Sequence, residues 1–479
     1  MNKSMPILQA MQNYAQADVY PLHTPGHKGG RCLNREYQQL LGPAALAIDV
    51  SLMQELDDLH APEGCIALAQ QLAAETFGAD KSFFAVNGTS GALQALLLGS
   101  FQPGDKLLIA RNMHRSLLAA LVLANYQVRF LQPEYQADFA ISLQVKPEQV
   151  AQALAQEPDI KGVLLTSPNY YGLSADIVEI AQITHAYGAV LLVDEAHGAH
   201  LGFSEKFPAP ALSLGADAVA QSTHKSLSSL TQTSMLHLKS VRLDYQRITA
   251  MMSMLTTTSP NYLLLASLDA ARYLMQTQGA ELLERAWQMA NKLRQQLKAI
   301  PGLTVLELQD CAGESVVSQD ISKILLKVSG LGYTGVEFGQ LLRQAGYAVE
   351  LVDAHNVLLL LSYAEEPARL EGLVQVIRAL PQRSPKSVST LPKLELPERG
   401  FDFGKAFYAP RERVLFKEAV GRIAAESIVF YPPGIACILP GEILSKYCLQ
   451  YCQQMVQLGV AVTGCQDSSL QYLEVLKES

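Results

Sequence analysis

The sequence lacks the features that mark membrane-spanning, secreted and nucleic-acid-binding proteins. No run of about eighteen apolar residues occurs in its 479 residues, so a membrane span is not expected. The N-terminal segment MNKSMPILQAMQNYAQADVY has no continuous apolar core of the kind a signal peptide needs. Lysine and arginine form no cluster, and the net charge is -8, which argues against nucleic-acid binding. We therefore expect a cytoplasmic protein with neither a membrane nor a nucleic-acid partner.

Cysteine is scarce and irregularly spaced. An odd number of seven does not suit a disulfide framework. Cys448 and Cys452 stand four apart on a predicted helix and share a face, which leaves a metal or redox pair open. Because no second pair of ligands lies near them, buried thiols are the favoured interpretation. His197 and His200 have a metal-like spacing but no cluster of further ligands, so no metal site is expected.

What the chain does contain is apolar sequence in short, regular blocks. Apolar residues make up 49% and charged residues 17%, which is typical of a well-buried globular protein. Between about residues 60 and 240, amphipathic helical segments alternate with the apolar runs SFFAVNG, KLLIAR, GVLLTS, AVLLVD and DAVAQS. Continuous apolar strands separated by helices indicate a parallel sheet covered on both faces. The pattern predicts a doubly wound α/β domain.

The remainder of the chain predicts two further domains. A long helical pattern runs from Tyr262 to Ile300 and stops at Pro301-Gly302. Mixed strands and helices follow, and then the Pro- and Ser-rich stretch LPQRSPKSVSTLPKLELPERG, which is typical of a linker. We predict an N-terminal arm and large domain over 1–300, a small α/β domain over 301–385, and a linker with a C-terminal α+β domain over 386–479.

The first candidate site segment is FFAVNGTSGALQALLLG. A strand leads through Gly88, Thr89, Ser90 and Gly91 into a helix. Small residues let a ligand approach the backbone, and a helix start offers unpaired N–H groups and the positive end of a dipole. The segment therefore predicts a phosphate-binding cup. A plain turn with a helix cap is the alternative.

Two further residues lie where strands of the predicted sheet end. Asp194 closes the run AVLLVD, at the edge where open parallel sheets bind ligands, and a carboxylate there can hold a protonated pyridinium nitrogen. A helix cap or core ion pair is the alternative. Lys225 follows the run DAVAQS in a segment rich in hydroxyl groups, where a desolvated lysine can form a Schiff base. A solvated surface lysine is its alternative.

The order of these three signals is more specific than any one of them. The cup comes first, Asp194 follows about a hundred residues later, and Lys225 about thirty after that. This order and spacing match the large, mainly parallel domain of the aspartate-aminotransferase-like fold, called fold type I, of enzymes that use pyridoxal 5'-phosphate.

In detail the sequence resembles the bacterial ornithine/lysine/arginine decarboxylases of this fold. The segments that carry the resemblance are PLHTPGHKGG, ELDDLHAPEG, ARNMHRSL, SPNYYGLSADI, DEAHGAH, STHKSL, TTTSPNYLLLASLDAAR and YPPGIACILPGE. They run from about residue 20 to 445. Because the resemblance begins about twenty residues into the sequence, we expect the short, biosynthetic type and not the large inducible type that has an N-terminal wing domain.

The resemblance implies a role for each cofactor-binding residue. Lys225 would carry the cofactor as a Schiff base, Asp194 would pair with its ring nitrogen, and His114 would stack on the ring. The residues implied at or beside the phosphate are Thr89, Ser90, Gly91, Ser222 and His224. Thr257 would reach the phosphate of a partner subunit, which implies a homodimer or higher homo-oligomer with shared active sites.

The resemblance also implies a reaction. The chain would decarboxylate a basic amino acid for polyamine metabolism, with arginine or lysine favoured over ornithine. Glu442 would approach the distal cation of the substrate, although a helix-capping role is its alternative. His197 is assigned to the cofactor pocket, and His197 and Lys225 are both candidate proton donors. The alternatives are another pyridoxal-phosphate reaction, such as transamination or elimination, and a non-catalytic homologue. A Rossmann-type enzyme is disfavoured, since NGTSG is not a G-x-G-x-x-G motif.

Overall fold

A computed structural model describes most of the chain. The described residues are 4–17, 19–53, 55–311, 313, 315–385, 396–430 and 434–478. Two parts of the sequence interpretation lie outside them: residues 386–395 of the expected linker and residues 431–433 of the YPPGIACILPGE segment. Within the described ranges, no helix has both the length and the hydropathy needed to cross a membrane.

Helices and strands alternate along most of the chain. The α-helices are α1 Pro6–Gln16, α2 Arg35–Ala47, α3 Cys65–Phe77, α4 Gly88–Ser100, α5 Leu118–Leu123, α6 Pro147–Gln156, α7 Ile177–Ala186, α8 Thr223–Ser226, α9 Tyr245–Leu255, α10 Tyr262–Lys298, α11 Gly335–Gln344, α12 Pro367–Ala379, α13 Phe403–Tyr408 and α14 Lys446–Gln457. The strands are β1 Lys81–Ala85, β2 Lys106–Ala110, β3 Gln127–Leu131, β4 Tyr135–Gln136, β5 Ile141–Ser142, β6 Gly162–Thr166, β7 Leu173–Ser174, β8 Val190–Asp194, β9 Ala218–Gln221, β10 Ser234–Leu238, β11 Thr304–Val305, β12 Ser318–Gln319, β13 Lys323–Lys327, β14 Leu351–Val352, β15 Asn356–Leu360, β16 Arg411–Leu415, β17 Ile428–Phe430, β18 Ile435–Ile438, β19 Val462–Thr463 and β20 Tyr472–Leu476.

The chain divides into two compact units. Unit 1 comprises Met1–Ser100, Leu192–Ser204 and Ala209–Glu281. Unit 2 comprises Phe101–Leu191, Glu205–Pro208 and Leu282–Ser479.

In unit 1, three strands and the end of a fourth lie side by side in the order β1-β10-β9-β8. Strand β10 is antiparallel to both β1 and β9, whereas β8 and β9 are parallel and place Asp194 opposite Ala220. Helix α4 packs on α9, and Gly99 permits this approach because a Cβ there would lie 2.7 Å from the Ile248 Cα atom. The carboxyl ends of β8 and β9 therefore reach one edge of this unit together.

The described part of unit 2 contains six separate groups of paired strands, three of which have only two strands each. Strands β6, β2 and β3 lie parallel in that order. Strands β6 and β2 are mostly buried, as expected of strands flanked by helices, whereas the edge strand β3 is mostly half-buried. The antiparallel strands β11-β13-β15-β14 share an apolar core with α11 and α12. The C-terminal part has an apolar core of its own, to which β17, β18, β20 and α14 contribute.

The α/β fold class, with a mainly parallel sheet, is confirmed. All five predicted apolar runs form strands, namely β1, β2, β6, β8 and β9, and the predicted long helix is α10. Strands β3 and β10 were not among the predicted runs, and β10 adds the antiparallel pairs. The division into three domains with boundaries at 300 and 385 stays a prediction.

Candidate active site

The predicted phosphate cup is a cluster of hydroxyl groups at the start of α4 in unit 1. The Thr89 Oγ1 atom lies 2.6 Å from Ser222 Oγ and 2.8 Å from Ser234 Oγ. Ser234 Oγ donates its proton to the Gln221 carbonyl oxygen at 2.7 Å. Since each hydroxyl has one proton, Thr89 must donate to Ser234, and Ser222 to Thr89. The structure thus brings together Thr89 and Ser222, which are 133 residues apart in the sequence.

Glycines shape the turn that leads into this helix. Gly88 has a φ of +73°, a backbone conformation that other residues rarely adopt, and its N–H donates to the Gln232 carbonyl oxygen at 2.8 Å. A Cβ atom at Gly91 would lie 2.0 Å from the Asn87 amide nitrogen. Ser90 is partly exposed in the first turn of this 13-residue helix, where backbone N–H groups lack helical partners. These features suit an anion such as a phosphate.

The carboxylate of Asp194 is buried at the end of β8, with 2% of the residue exposed. Its Oδ1 atom accepts a hydrogen bond from the Ala196 N–H at 3.1 Å. Burial raises the pKa of Asp194 to about 6, and the positive charge of Lys225 opposes this rise. The carboxylate of the neighbouring Glu195 already has partners within the protein. It accepts hydrogen bonds from the Ala211 N–H and from Gln221 Nε2, both at 2.7 Å. Burial also raises the pKa of Glu195, to about 7, but its two partners hold it within the protein, so Asp194 is the carboxylate we assign to a cationic ligand.

Lys225 lies on the short helix α8, for which Ser222 is the N-cap. Its Nζ atom is 3.1 Å from His197 Nε2. The Nδ1 atom of His224 lies 2.6 Å from the Thr233 carbonyl oxygen, which requires a proton on Nδ1, and burial lowers the pKa of His224. The structure therefore joins Lys225 and His197, and it ties the ring of His224 to a neighbouring loop.

Thr257 lies on an exposed segment that follows α9. Its carbonyl oxygen accepts from His60 Nε2 at 2.9 Å, and its hydroxyl accepts from the Ser259 N–H at 3.2 Å. Within the described part of unit 1, no hydrogen bond links Thr257 to the hydroxyl cluster. Its implied role toward a partner subunit stays a prediction.

In unit 2, His114 follows β2 and caps a short turn. Its Nδ1 atom accepts a hydrogen bond from the Ser116 N–H at 3.2 Å and lies 2.9 Å from Ser116 Oγ. When the imidazole is neutral, its proton therefore resides on Nε2. The loop geometry thus holds the ring in one orientation, and stacking on a cofactor stays a prediction.

Glu442 is buried in unit 2, with 1% exposed, and it already has a cationic partner. Nη2 of Arg111 lies 3.2 Å from both carboxylate oxygens, and the Leu439 N–H donates to Oε2 at 2.7 Å. Burial raises the pKa of Glu442, while Arg111 opposes the rise. Sequence reasoning missed Arg111, although a charged residue at the end of the apolar run KLLIAR was the available signal.

The residues of unit 1 fit pyridoxal 5'-phosphate. The cofactor needs an amine for its aldehyde, an acid for its ring nitrogen and donors for its phosphate. Lys225 offers the amine, the buried Asp194 offers the acid, and the start of α4 offers unpaired N–H groups beside hydroxyls. With the α/β fold, this donor set defines a pyridoxal-phosphate enzyme of fold type I.

Sequence comparison identifies the family within that class. Residues 5–324 match the family description "Orn/Lys/Arg decarboxylase, major domain", and residues 403–474 match "Orn/Lys/Arg decarboxylase, C-terminal domain". The chain belongs to the Orn/Lys/Arg decarboxylase family. This membership confirms the expected class of enzyme, a carboxy-lyase that depends on pyridoxal 5'-phosphate and acts on a basic amino acid.

Individual relatives cover nearly the whole chain. The protein named arginine decarboxylase in Bacillus subtilis (strain 168) is 37% identical over 99% of this chain and 98% of its own length. A protein of the same name in Halalkalibacterium halodurans is 38% identical over 99% and 98%. The crystal structure of the Francisella novicida lysine decarboxylase LdcF, at 20% identity, has a TM-score of 0.87 and covers 99% of this chain and 82% of that chain. The structural likeness shows the fold.

Proposed function

We propose that the chain converts arginine and one proton to agmatine and carbon dioxide, and so supplies polyamine metabolism. The observation that supports a pyridoxal-phosphate reaction is the contact of Lys225 with His197 in the same unit as the buried Asp194. The choice of arginine rests on the relatives named arginine decarboxylases, which match along almost the full chain, whereas LdcF is 20% identical.

The cofactor would be held by groups of differing chemistry. Lys225 would bind its aldehyde carbon, and the first turn of α4 with the Thr89–Ser222 pair would bind its phosphate. The hydroxyl hydrogen bonds now run from Ser222 through Thr89 and Ser234 to the Gln221 carbonyl oxygen. A phosphate oxygen that accepted the proton of Ser222 or Thr89 would change the direction of these hydrogen bonds. His114 would lie against the ring. When bound, pyridoxal phosphate accepts into its ring the electron pair that Cα gains as carbon dioxide leaves.

Asp194 would keep a proton on the ring nitrogen. Its carboxyl group has a raised pKa because burial removes water from the charged form. A cation placed against it would restore the ionised form, since opposite charges attract strongly where water is excluded. The residue therefore acts through its charge rather than as a proton donor to substrate.

The pair of Lys225 and His197 would deliver the proton that Cα needs once carbon dioxide has left. With 3.1 Å between Nζ and Nε2, a proton can be shared between the two side chains. A general acid must lie within hydrogen-bond distance of the atom that it protonates or of a group that passes the proton on. His197 and Lys225 are within that distance of each other, so either side chain can pass a proton to the other.

Glu442 would supply negative charge for the guanidinium of the substrate. Its carboxylate is buried, which strengthens such an interaction, but Arg111 already occupies both oxygens at 3.2 Å. The substrate would therefore have to share the carboxylate with Arg111. Two variants test this: Glu442→Gln should raise KM for arginine with a smaller change in kcat, and Glu426→Gln, a buried acid of the same C-terminal part, should not. An unchanged KM in Glu442→Gln would leave Glu442 as an anchor for Arg111.

The assembly and location follow from the same proposal. Thr257, exposed after α9, would reach the cofactor phosphate of a second copy, so the active form would be at least a homodimer. A cytoplasmic location stays a prediction of the sequence.

The direct test is product analysis with the cofactor-loaded protein. Arginine, lysine and ornithine are supplied separately at equal concentration, and amines and carbon dioxide are measured. Agmatine should form fastest, and Lys225→Ala should form none. Faster cadaverine or putrescine formation would refute arginine as the preferred substrate, and a keto acid without carbon dioxide would indicate transamination instead.

A further inference from the structure

Three cysteine thiols meet in the C-terminal core of unit 2. Cys448 and Cys452 lie on α14, and Cys437 lies on β18. The Cys437 Sγ atom is 3.6 Å from Cys452 Sγ and 4.0 Å from Cys448 Sγ, and all three sulfurs lie within 4.8 Å of one another. We refer to these three residues as the thiol cluster. The sequence displayed only the pair on one helix face, and the fold adds the third ligand.

The surrounding structure holds the cluster in place. Helix α14 begins at a capped end, where Ser445 Oγ accepts from the Cys448 N–H at 3.0 Å. The three cysteines are buried, with 3%, 3% and 0% exposed for Cys437, Cys448 and Cys452, in a core with β17 and β20. A ligand bound there would be shielded from water and held by two different elements.

The spacing of the sulfur atoms suits a metal better than a disulfide. A Zn–S bond of about 2.3 Å implies sulfur–sulfur separations of about 3.8 Å in a tetrahedron and about 4.0 Å in a plane. A disulfide requires about 2.05 Å, so two thiols would have to move together by about 1.5 Å. The observed 3.6 and 4.0 Å are close to the separations in a metal–thiolate site.

The ion pair of Arg111 and Glu442 lies beside the cluster. Arg111 donates from Nη2 to the Cys437 carbonyl oxygen at 3.1 Å, so a permanent cation lies beside the cluster. Thiolate is the form of cysteine that binds metals, so a bound cation and the nearby guanidinium would both stabilise charge on the sulfur atoms.

We propose that the thiol cluster binds one thiophilic metal ion, with Cu(I) as the ion that fits best. Soft thiolate ligands select Cu(I) and Zn²⁺, and Zn²⁺ usually takes four ligands. Within the described residues, no fourth histidine, cysteine or carboxylate ligand joins the group. Three sulfurs suffice for Cu(I). Binding of the ion releases the thiol protons of the three cysteines. The proposal does not depend on the preferred substrate.

Competition with a coloured Cu(I) chelator tests this in the reduced holoenzyme. The wild-type protein should withdraw one more equivalent of Cu(I) than Cys437→Ser or Cys452→Ser. The control Cys311→Ser removes a buried cysteine of unit 2 that lies outside the cluster, and it should withdraw as much as the wild type. Equal withdrawal by all four proteins would overturn the proposal.

A second measurement covers the case in which the serine variants fail to fold. Cys452→Ala keeps an apolar side chain in the core and should also lose one equivalent. X-ray absorption at the copper edge of the wild-type complex needs no variant and counts the neighbours of the ion. Three sulfur neighbours support the cluster as the site, whereas nitrogen or oxygen neighbours, or two sulfurs, would overturn it.

Discussion

Two buried carboxylates, Asp194 in unit 1 and Glu442 in unit 2, have different partners in the protein. Asp194 in unit 1 accepts a backbone hydrogen bond from Ala196, and burial raises its pKa to about 6. Glu442 in unit 2 is as deeply buried, but Arg111 and the Leu439 N–H already satisfy its oxygens. The first carboxylate is stabilised by a cationic ligand and the second by the protein itself. Substitution of Asp194 should therefore weaken cofactor binding, whereas substitution of Arg111, the partner of Glu442, should lower folding stability.

The largest expected effect is the loss of activity in Lys225→Ala. Removing a group that bonds covalently to the cofactor should lower kcat by about 10⁴-fold or more. The variant should also lose the visible Schiff-base absorption band, while its unfolding temperature without cofactor should change little. The exposed Lys239→Ala serves as the control and should behave as the wild type. A Lys225→Ala protein that retained both the absorption band and the activity would contradict the assignment of the active site to unit 1.

The next largest effect is a loss of folding stability when the ion pair of Arg111 and Glu442 is broken. Arg111→Met removes the cation that is hydrogen-bonded to the buried Glu442 and should destabilise the protein by about 3–5 kcal/mol, measured as a lower unfolding temperature by calorimetry. The double variant Arg111→Met/Glu442→Gln carries no unpaired charge and should recover much of that loss. If the single variant were as stable as the wild type, the pair would contribute nothing to folding and the contrast with Asp194 would fail.

The third effect depends on pH. The pKa of Asp194 is about 6 in the folded protein against an ordinary 3.8, so the free energy of unfolding of the cofactor-free protein falls as the pH rises from 3.8 to 6, and the loss is complete above about pH 6. Below pH 3.8 the Asp194 carboxyl group is protonated in both the folded and the unfolded protein, so it has no effect on the free energy of unfolding. Asp194→Asn without cofactor should therefore be more stable than the wild type by up to about 3 kcal/mol at pH 8 and by roughly half as much at pH 5.

Denaturant unfolding at the two pH values measures this difference, and a gain that did not shrink toward pH 5 would contradict the assignment. With cofactor the order should reverse. Asp194→Asn should bind pyridoxal phosphate more weakly than the wild type because the ring nitrogen loses its acid.

Local sequence rules predict unit 1 better than the C-terminal part of unit 2. Asp194 and Lys225 follow apolar strands directly, so a rule about strand ends places them at one edge. Ser234 was missed because its strand, β10, is antiparallel and was not among the predicted runs. Arg111 and Glu442 lie 331 residues apart, and no periodicity states which distant segment a charged residue will meet. Helical spacing likewise paired Cys448 with Cys452 but carried no information about Cys437 on β18.

One measurement tests most directly whether Lys225 carries the cofactor. The loaded enzyme is reduced with borohydride, which fixes the cofactor to its lysine, and is then digested and mapped by mass spectrometry. The modified peptide should contain STHKSL with the added mass on Lys225. A modification on any other lysine, in either unit, would contradict the assignment of the active site to unit 1 and to Asp194 beside it.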